Sequence, residues 1–339
     1  MAEKSRIEWT DATWNPTTGC TLISPGCKFC YAAELAAGRL KNHPSRIGLA
    51  RRNRRGFSAF TGELRFNEAW LDQPLRWRKP RRIFVCAHSD LFHDEMPRQW
   101  IDKIFAVMAC SPRHVFQILT KRPARMRSYM LDDPRDAINS EAAPLVHWDD
   151  MPETSWPLPN VWLGVSAEDQ DHADQRIPAL LETPAAMRFL SAEPLLGRID
   201  VSRYLPHPWE SPEHGRLDWI IAGGESGAGA RPMHPDWPRV LRDQCTAARV
   251  PFFFKQWGEF LPLNQSDSDG GNVADDWVGS GPDGEGGWHE WPGGWMHSLK
   301  IGKRNAGRSL DGRLWSDYPG TVQTASGAVS GHPPHRRLL

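Results

Sequence analysis

Three cysteines fall within eleven residues, in the run Cys20-Thr-Leu-Ile-Ser-Pro-Gly-Cys27-Lys-Phe-Cys30. The other three, Cys86, Cys110 and Cys245, lie in apolar or helical stretches, where a free cysteine acts as a small buried hydrophobe. The cluster asks for different chemistry. Three thiolates on a loop containing Pro25 and Gly26 can converge on one metal centre, and thiolate is the ligand that iron–sulfur clusters select. A [4Fe–4S] cluster held by Cys20, Cys27 and Cys30 leaves one iron open. An open iron can chelate the amino and carboxylate groups of S-adenosylmethionine. Structural zinc competes with this reading, because Cys-x2-Cys-x12-His43 together with Cys20 completes a Cys3His set. A zinc-stabilised, non-catalytic nucleic-acid-binding protein is therefore the alternative, and spacing leaves both open.

A second group of chemical residues follows a series of short apolar runs. Residues 83–87, 114–119, 161–166, 187–191, 217–222 and 251–255 read as buried strands, several separated by helical patterns such as Trp100, Ile101, Ile104, Phe105 and Met108. Continuous apolar runs suit a parallel sheet covered on both faces. With one more strand before the cysteine loop, they predict an α/β fold, a partial or complete (β/α) barrel, with a doubly wound open sheet as the other arrangement. Functional residues of such barrels gather at the C-terminal ends of the strands. Ser89 and Asp90, Lys121, Ser166 and Glu168, Glu193, Gly223-Gly224-Glu225-Ser226 and Lys255 all stand there. Any one of them can be a helix cap or a wet loop residue. Together they read as a ring at one barrel mouth.

The chain's 339 residues allow one large domain with an appendage. The barrel is expected over 1–261, with the cysteine loop at 20–30 and insertions at 39–82 and 131–160, the latter an acidic, Pro-rich loop. An irregular Gly- and Trp-rich extension packed on the barrel is expected over 262–319, and a disordered tail over 320–339. No run approaches the roughly 18 apolar residues of a membrane span, and MAEKSRIEWTD lacks an apolar leader core, which points to the cytoplasm and away from membrane partners. Lys and Arg together equal Asp and Glu at 41 each, so total charge is silent about partners. Residues 39–82, however, carry thirteen Arg or Lys against Glu63, Glu68 and Asp72, an excess that can attract nucleic-acid phosphates.

Cys27-Lys-Phe-Cys30 resembles the Cys-x-aromatic-Cys end of the radical S-adenosylmethionine (radical SAM) motif, with six residues rather than the usual three between the first two cysteines. The chain as a whole resembles an uncharacterised family of phage-associated three-cysteine-motif proteins. The blocks that carry this are Ile7 to Pro16, Gly19-Cys20, Ser24 to Cys27, Ser89 to His93, Leu119 to Pro123, Trp162 to Ser166, Ser191 to Gly197, Gly223 to Gly227, Phe254 to Glu259 and Lys303 to Trp315. The resemblance implies a radical-enzyme-like barrel. It implies that Cys20, Cys27 and Cys30 bind a [4Fe–4S] cluster, with S-adenosylmethionine held by Ser89, Asp90, Ser166, Glu168, Gly223, Gly224, Glu225 and Ser226. Lys121, Glu193 and Lys255 are the substrate candidates. The implied partners are an electron donor for the cluster, a nucleic acid or nucleotide substrate, and a phage-encoded protein.

Overall fold

In chain order, β1 (Ala12–Trp14) and β2 (Thr17–Thr18) precede the cysteine loop and helix α1 (Tyr31–Ala37). Short strands β3 (Ala50–Arg52), β4 (Ser58–Phe60) and β5 (Arg65–Phe66) follow. The alternating series is then β6 (Arg82–Val85), α2 (Arg98–Ala109), β7 (Val115–Thr120), α3 (Pro123–Leu131), α4 (Arg135–Ala142), β8 (Val161–Ser166), α5 (Gln170–Leu181), β9 (Met187–Ala192), β10 (Trp219–Gly223), α6 (Asp236–Ala248) and β11 (Phe252–Gln256). Strands β12 (Phe260–Pro262), β13 (Gly286–Trp291) and β14 (Gly294–Lys300) follow, and then α7 (Lys303–Ala306), β15 (Ser309–Leu310) and β16 (Arg313–Leu314). The computed structural model describes residues 5–147, 155–206, 215–265, 286–291 and 294–320.

Seven strands make one sheet in the order β1-β6-β7-β8-β9-β10-β11, with all six neighbouring pairs parallel. The order never reverses, so there is no topological switch point and the doubly wound arrangement is excluded. Right-handed crossovers running in one direction place every helix on the same face. The opposite face must then cover itself by curling. Trp9 records that curl: its ring lies 4.8 Å from Phe84 on β6 and 6.3 Å from Trp219 on β10. In a flat sheet, strands four positions apart stand about 19 Å from one another. Strands β1 and β11 remain the two edges, so the sheet is a half-barrel.

The curled face holds an inner cluster of Trp9, Phe84, Phe189, Trp219, Ile221 and Phe253, with Tyr318 packed against it. Gly164 on β8 makes room for it, because a Cβ there would stand 2.5 Å from the Phe189 ring. The larger outer core fills the space between sheet and helices, with Ile101, Ile104, Phe105 and Met108 of α2 all buried in it.

The 131–160 segment differs from the loop expected. Ile138 and Ala142, one helical turn apart, bury one face of α4, and Pro134 starts that helix without interrupting it. The 262–300 segment is likewise less irregular than its glycines suggest, since β12, β14 and β13 form an antiparallel sheet. Within the expected extension, Trp315 packs on the half-barrel with its ring 6.1 Å from Phe252. Residues 321–339 of the expected tail lie outside the described residues. Among the described residues, no helix is long and apolar enough to cross a membrane.

Candidate functional site

A cavity of about 440 Å³ opens at the C-terminal ends of the parallel strands. Trp9, Phe84 and Leu119 of the inner cluster line it, and Cys20, Cys27 and Cys30 face the same space. All six cysteines are free thiols. Of the residues singled out in the sequence, Ser89, Asp90, Lys121, Ser166, Glu193, Gly224, Glu225, Ser226 and Lys255 line this cavity, while Glu168 and Gly223 stand just outside it.

The cysteine loop has only one short turn, Pro25–Cys27, and is held by groups from four strand ends. Beyond β7, Arg122 is 7% exposed and donates from Nη2 to Thr21 Oγ1 at 2.6 Å, with Nη1 lying 3.9 Å from Cys20 Sγ. Its other donors reach Asp90 at 2.9 Å and Asp94 at 3.0 Å. Beyond β8, Glu168 is fully buried and accepts from Gly26 N at 3.3 Å while pairing with Arg176 at 2.9 Å. Burial pushes the Glu168 carboxyl up, but the Ser24 hydroxyl, Arg176, Lys121 and His172 outweigh it and hold it below the usual carboxylate range. Beyond β10, Arg231 donates to Pro25 O at 3.0 Å and is itself gripped by Glu225 at 2.7 Å. The Tyr31 hydroxyl, at the start of α1, donates to Ala87 O after β6 at 2.5 Å.

These contacts revise several expected roles. Asp90 has its oxygens taken by Thr120 Oγ1 at 2.7 Å, Phe92 N at 3.0 Å, Lys121 N at 3.2 Å and Arg122, so it fixes Arg122. Glu168 and Glu225 are clamps for the cysteine loop. Gly224 is glycine because a Cβ would stand 1.9 Å from Trp257 O, and its own N–H is spent on Gln256 O at 2.9 Å. A Cβ on Gly223 would stand 3.2 Å from Glu193 Oε1, a tight contact that a small shift of the Glu193 side chain would relieve, so close backbone packing accounts for Gly224 alone.

Unpartnered buried polar atoms occur away from the cavity too, at Gln73 Oε1, Ser111 Oγ and Gln117 Oε1 for example, but several belong to residues that line it. Ser89 Oγ, Ser191 Oγ, Glu193 Oε1 and Gln256 Oε1 are buried atoms without a hydrogen-bond partner among the described residues, and all four residues line the cavity. Glu193 uses its other oxygen to bind Lys255 Nζ at 2.9 Å. Buried polar atoms are normally satisfied, so these four oxygens, with the unpartnered Trp9 Nε1 as a fifth atom on a lining residue, mark a wall that a ligand could complete. Ser191 and Gln256 belong to the polar residues expected at the strand ends but carry no assigned role in the sequence, and Arg122 is not singled out there. Ser191 and Gln256 sit at the ends of β9 and β11, where position alone gave the signal, and Arg122 adjoins Lys121.

Burial pushes the Cys20 thiol up to about 12, with Asp90 adding to the rise and Arg122 opposing it. Burial also raises Cys30, against backbone N–H groups of Ala33 and Ala32. Among the described residues, no three His, Cys, Asp or Glu side chains are gathered closely enough to hold a metal ion. His43 does not line the cavity: its Nδ1 is 2.7 Å from Ser45 Oγ and its ring 5.9 Å from Trp70. Among the described residues, neither the three-cysteine set nor the Cys3His set is thus assembled.

Among solved structures, the chain is similar to a Tyr-to-Phe variant of spore photoproduct lyase, with 10% identity and a TM-score of 0.33 over 88% of this chain and 72% of that one. It is also similar to spore photoproduct lyase complexed with dinucleoside spore photoproduct, with 8% identity and a TM-score of 0.27 over 84% and 66%. The half-barrel assignment rests on strand order and the Trp9 cluster, not on these likenesses. No curated protein matches the chain. Over residues 4–319 it matches the model described as "Protein of unknown function (DUF5131)", and the chain belongs to that family.

Proposed function

We propose that the chain is a radical SAM-type enzyme in which Cys20, Cys27 and Cys30 hold a [4Fe–4S] cluster and the cavity takes S-adenosylmethionine and a substrate. The observation that carries this reading is the presence of three free thiols and four unpartnered buried oxygens on residues lining one cavity. The donor set fits in type, since three cysteines are the ligands such a cluster uses when one iron is left open. When bound, the cluster supplies an electron that cleaves S-adenosylmethionine to a carbon radical able to take a hydrogen atom from substrate.

The chain's own residues do the positioning. Arg122, Glu168, Arg231 and Tyr31 fix the loop that carries the thiols. The Arg122 guanidinium beside Cys20 offsets negative charge there. Ser89, Ser166 and Ser226 are the cofactor-side groups, with Ser89 offering an unused hydroxyl. Glu193, Lys255, Lys121, Ser191 and Gln256 face the substrate, and the acceptor oxygens of Glu193 and Gln256 call for N–H or O–H donors on it. Trp9, Phe84 and Leu119 keep the floor dry, which protects a reactive intermediate from side reactions.

Anaerobic purification with metal and sulfide analysis tests the reading. The expected result is about four iron and four sulfide per chain, lost on Cys27→Ala and retained on His43→Ala, with 5′-deoxyadenosine released once a reductant and S-adenosylmethionine are added. One zinc per chain without sulfide, even after anaerobic reconstitution, would overturn it.

A further inference from the structure

The basic stretch of 39–82 is divided by the fold. Arg78, Lys79, Arg81 and Arg82 precede or begin β6 and so stand at the end of the sheet away from the cavity. Residues 28–65 instead include Phe29, Cys30, Tyr31, Ala32 and Phe60 of the cavity lining, and they carry nine Lys or Arg against only Glu34 and Glu63. Three of those nine are occupied. Arg46 is buried and donates to His88 Nδ1 at 2.7 Å, Arg52 pairs with Glu34, and Arg65 pairs with Glu63 at 2.9 Å. Lys28, Arg39, Lys41, Arg51, Arg54 and Arg55 are exposed and have no ion-pair partner among the described residues.

The hairpin of β3 and β4 presents the densest part of this charge. Its tip is fixed: Asn53 Oδ1 accepts from the N–H groups of Arg55 at 2.9 Å and Phe57 at 3.0 Å. Its body is docked on α1, where Ser58 Oγ donates to Glu34 Oε2 at 2.6 Å. Phe57 packs on Phe29 with ring centroids 4.9 Å apart, and Phe29 and Phe60 both line the cavity. The arginine tip therefore stands beside the cavity rim on a rigid support. Next to Cys30, Tyr31 lines the cavity, with its hydroxyl tied to Ala87 O and the residue 46% exposed. An aromatic ring held at one end and open to solvent is a platform on which a base can stack.

From this placement we infer that the mouth binds a polynucleotide: Arg51, Arg54 and Arg55 grip its phosphate backbone, and Tyr31 stacks a base displaced toward the cavity. Guanidinium groups suit phosphate because their planar fork gives paired, charge-assisted hydrogen bonds. A duplex is too wide for the cavity, so the reacting nucleotide must come from a single strand or leave its stack. The inference names a substrate class for the proposed radical site and rests on that reading for the chemistry, though not for the binding.

The test is fluorescence anisotropy of the full chain with labelled single-stranded oligonucleotides across a range of salt. Removing three phosphate contacts by R51A/R54A/R55A should weaken binding about tenfold or more near ~0.1 M salt and flatten the log–log salt slope by about two. Tyr31→Leu should weaken it about fivefold or more with the slope unchanged. The exposed pair R78A/K79A, which removes charge from the other end of the sheet, should leave binding as it was. The inference is overturned if the full chain binds no oligonucleotide at ~50 mM salt, or if the triple variant keeps the same affinity and slope. It is also overturned if the triple variant binds normally but is no longer reduced by an acidic redox protein, which would make the patch an electron-donor dock. Failure of the cluster reading would show separately, as missing iron and sulfide in a chain that still binds oligonucleotide.

Discussion

The floor and the mouth of the half-barrel are built on opposite principles. At the floor, Trp219 is ringed by Phe189 at 5.7 Å, Trp162 at 6.0 Å, Phe253 at 6.2 Å and Tyr318 at 5.4 Å, so large apolar area and ring contacts do the holding. At the mouth, the cysteine loop has little apolar cover: Leu22, Ile23 and Tyr31 are among the exposed large hydrophobics. Charged groups hold it instead, through the buried Arg122 and Glu168 and the half-buried Arg231. Buried ion pairs add little net stability once desolvation is counted, but they permit few geometries. The floor accordingly supplies the stability, and the mouth fixes the positions of three thiols and leaves polar atoms open for a ligand.

The largest effect is expected at the floor. Trp219→Ala removes a fully buried ring from the centre of the inner cluster and should destabilise the chain by about 3–5 kcal/mol in urea unfolding. A loss under about 1 kcal/mol would mean that the floor is not the stabilising half of the comparison.

The floor was also the more legible half. The run at 161–166 became β8 with the expected ends, and the other apolar runs shifted by only a residue or two, because buried strands advertise themselves by composition. The ring of polar residues after the strands followed from that register. Their division of labour did not. Lys121 and Arg122 are adjacent and equally basic in sequence, yet Arg122 is the one folded under the loop onto Asp90 and Thr21. Asp90 and Glu168 looked like ligand contacts because their partners, Arg122 and Arg176, come from elsewhere in the fold. Helix α4 was hidden by acidic residues and prolines, since two small buried side chains, Ile138 and Ala142, suffice for its inner face. The basic stretch read as one patch because sequence does not show that the chain passes from the top of the sheet to its bottom between Arg65 and Arg78.

An intermediate effect is expected at the clamp. Glu168→Gln keeps the shape but removes the charge that faces Arg176 at 2.9 Å, and should cost about 2 kcal/mol at neutral pH. The sign of its pH dependence follows from the Glu168 carboxyl lying below its ordinary value. Such a group contributes its full stabilisation above the unfolded carboxyl value of about 4.3 and loses it as pH falls through the lower folded value. The stability gap between the native chain and Glu168→Gln should therefore hold from neutral pH down to about 5 and close only in more acid solution. Urea unfolding of both proteins at several pH values measures it. A gap that widened on acidification would show that Glu168 is protonated in the fold and does not work as an anionic clamp.

The smallest effect on the fold is the most informative about the mouth. Ser191 is fully buried at the end of β9, and its hydroxyl has no partner among the described residues. A hydroxyl that truly serves the fold would lose about 1 kcal/mol or more of stability on removal, because its partner would be stranded. An orphan has no partner to strand, so Ser191→Ala should leave urea unfolding unchanged within about 0.5 kcal/mol or raise stability slightly. The same substitution should weaken ligand capture, read as a smaller rise in melting temperature when S-adenosylmethionine and candidate substrates are added to native and variant chains. Neutral folding with weakened capture would separate mouth from floor at a single atom. A clear loss of stability would instead assign Ser191 to the scaffold, and the ligand wall would shrink to Ser89, Glu193 and Gln256.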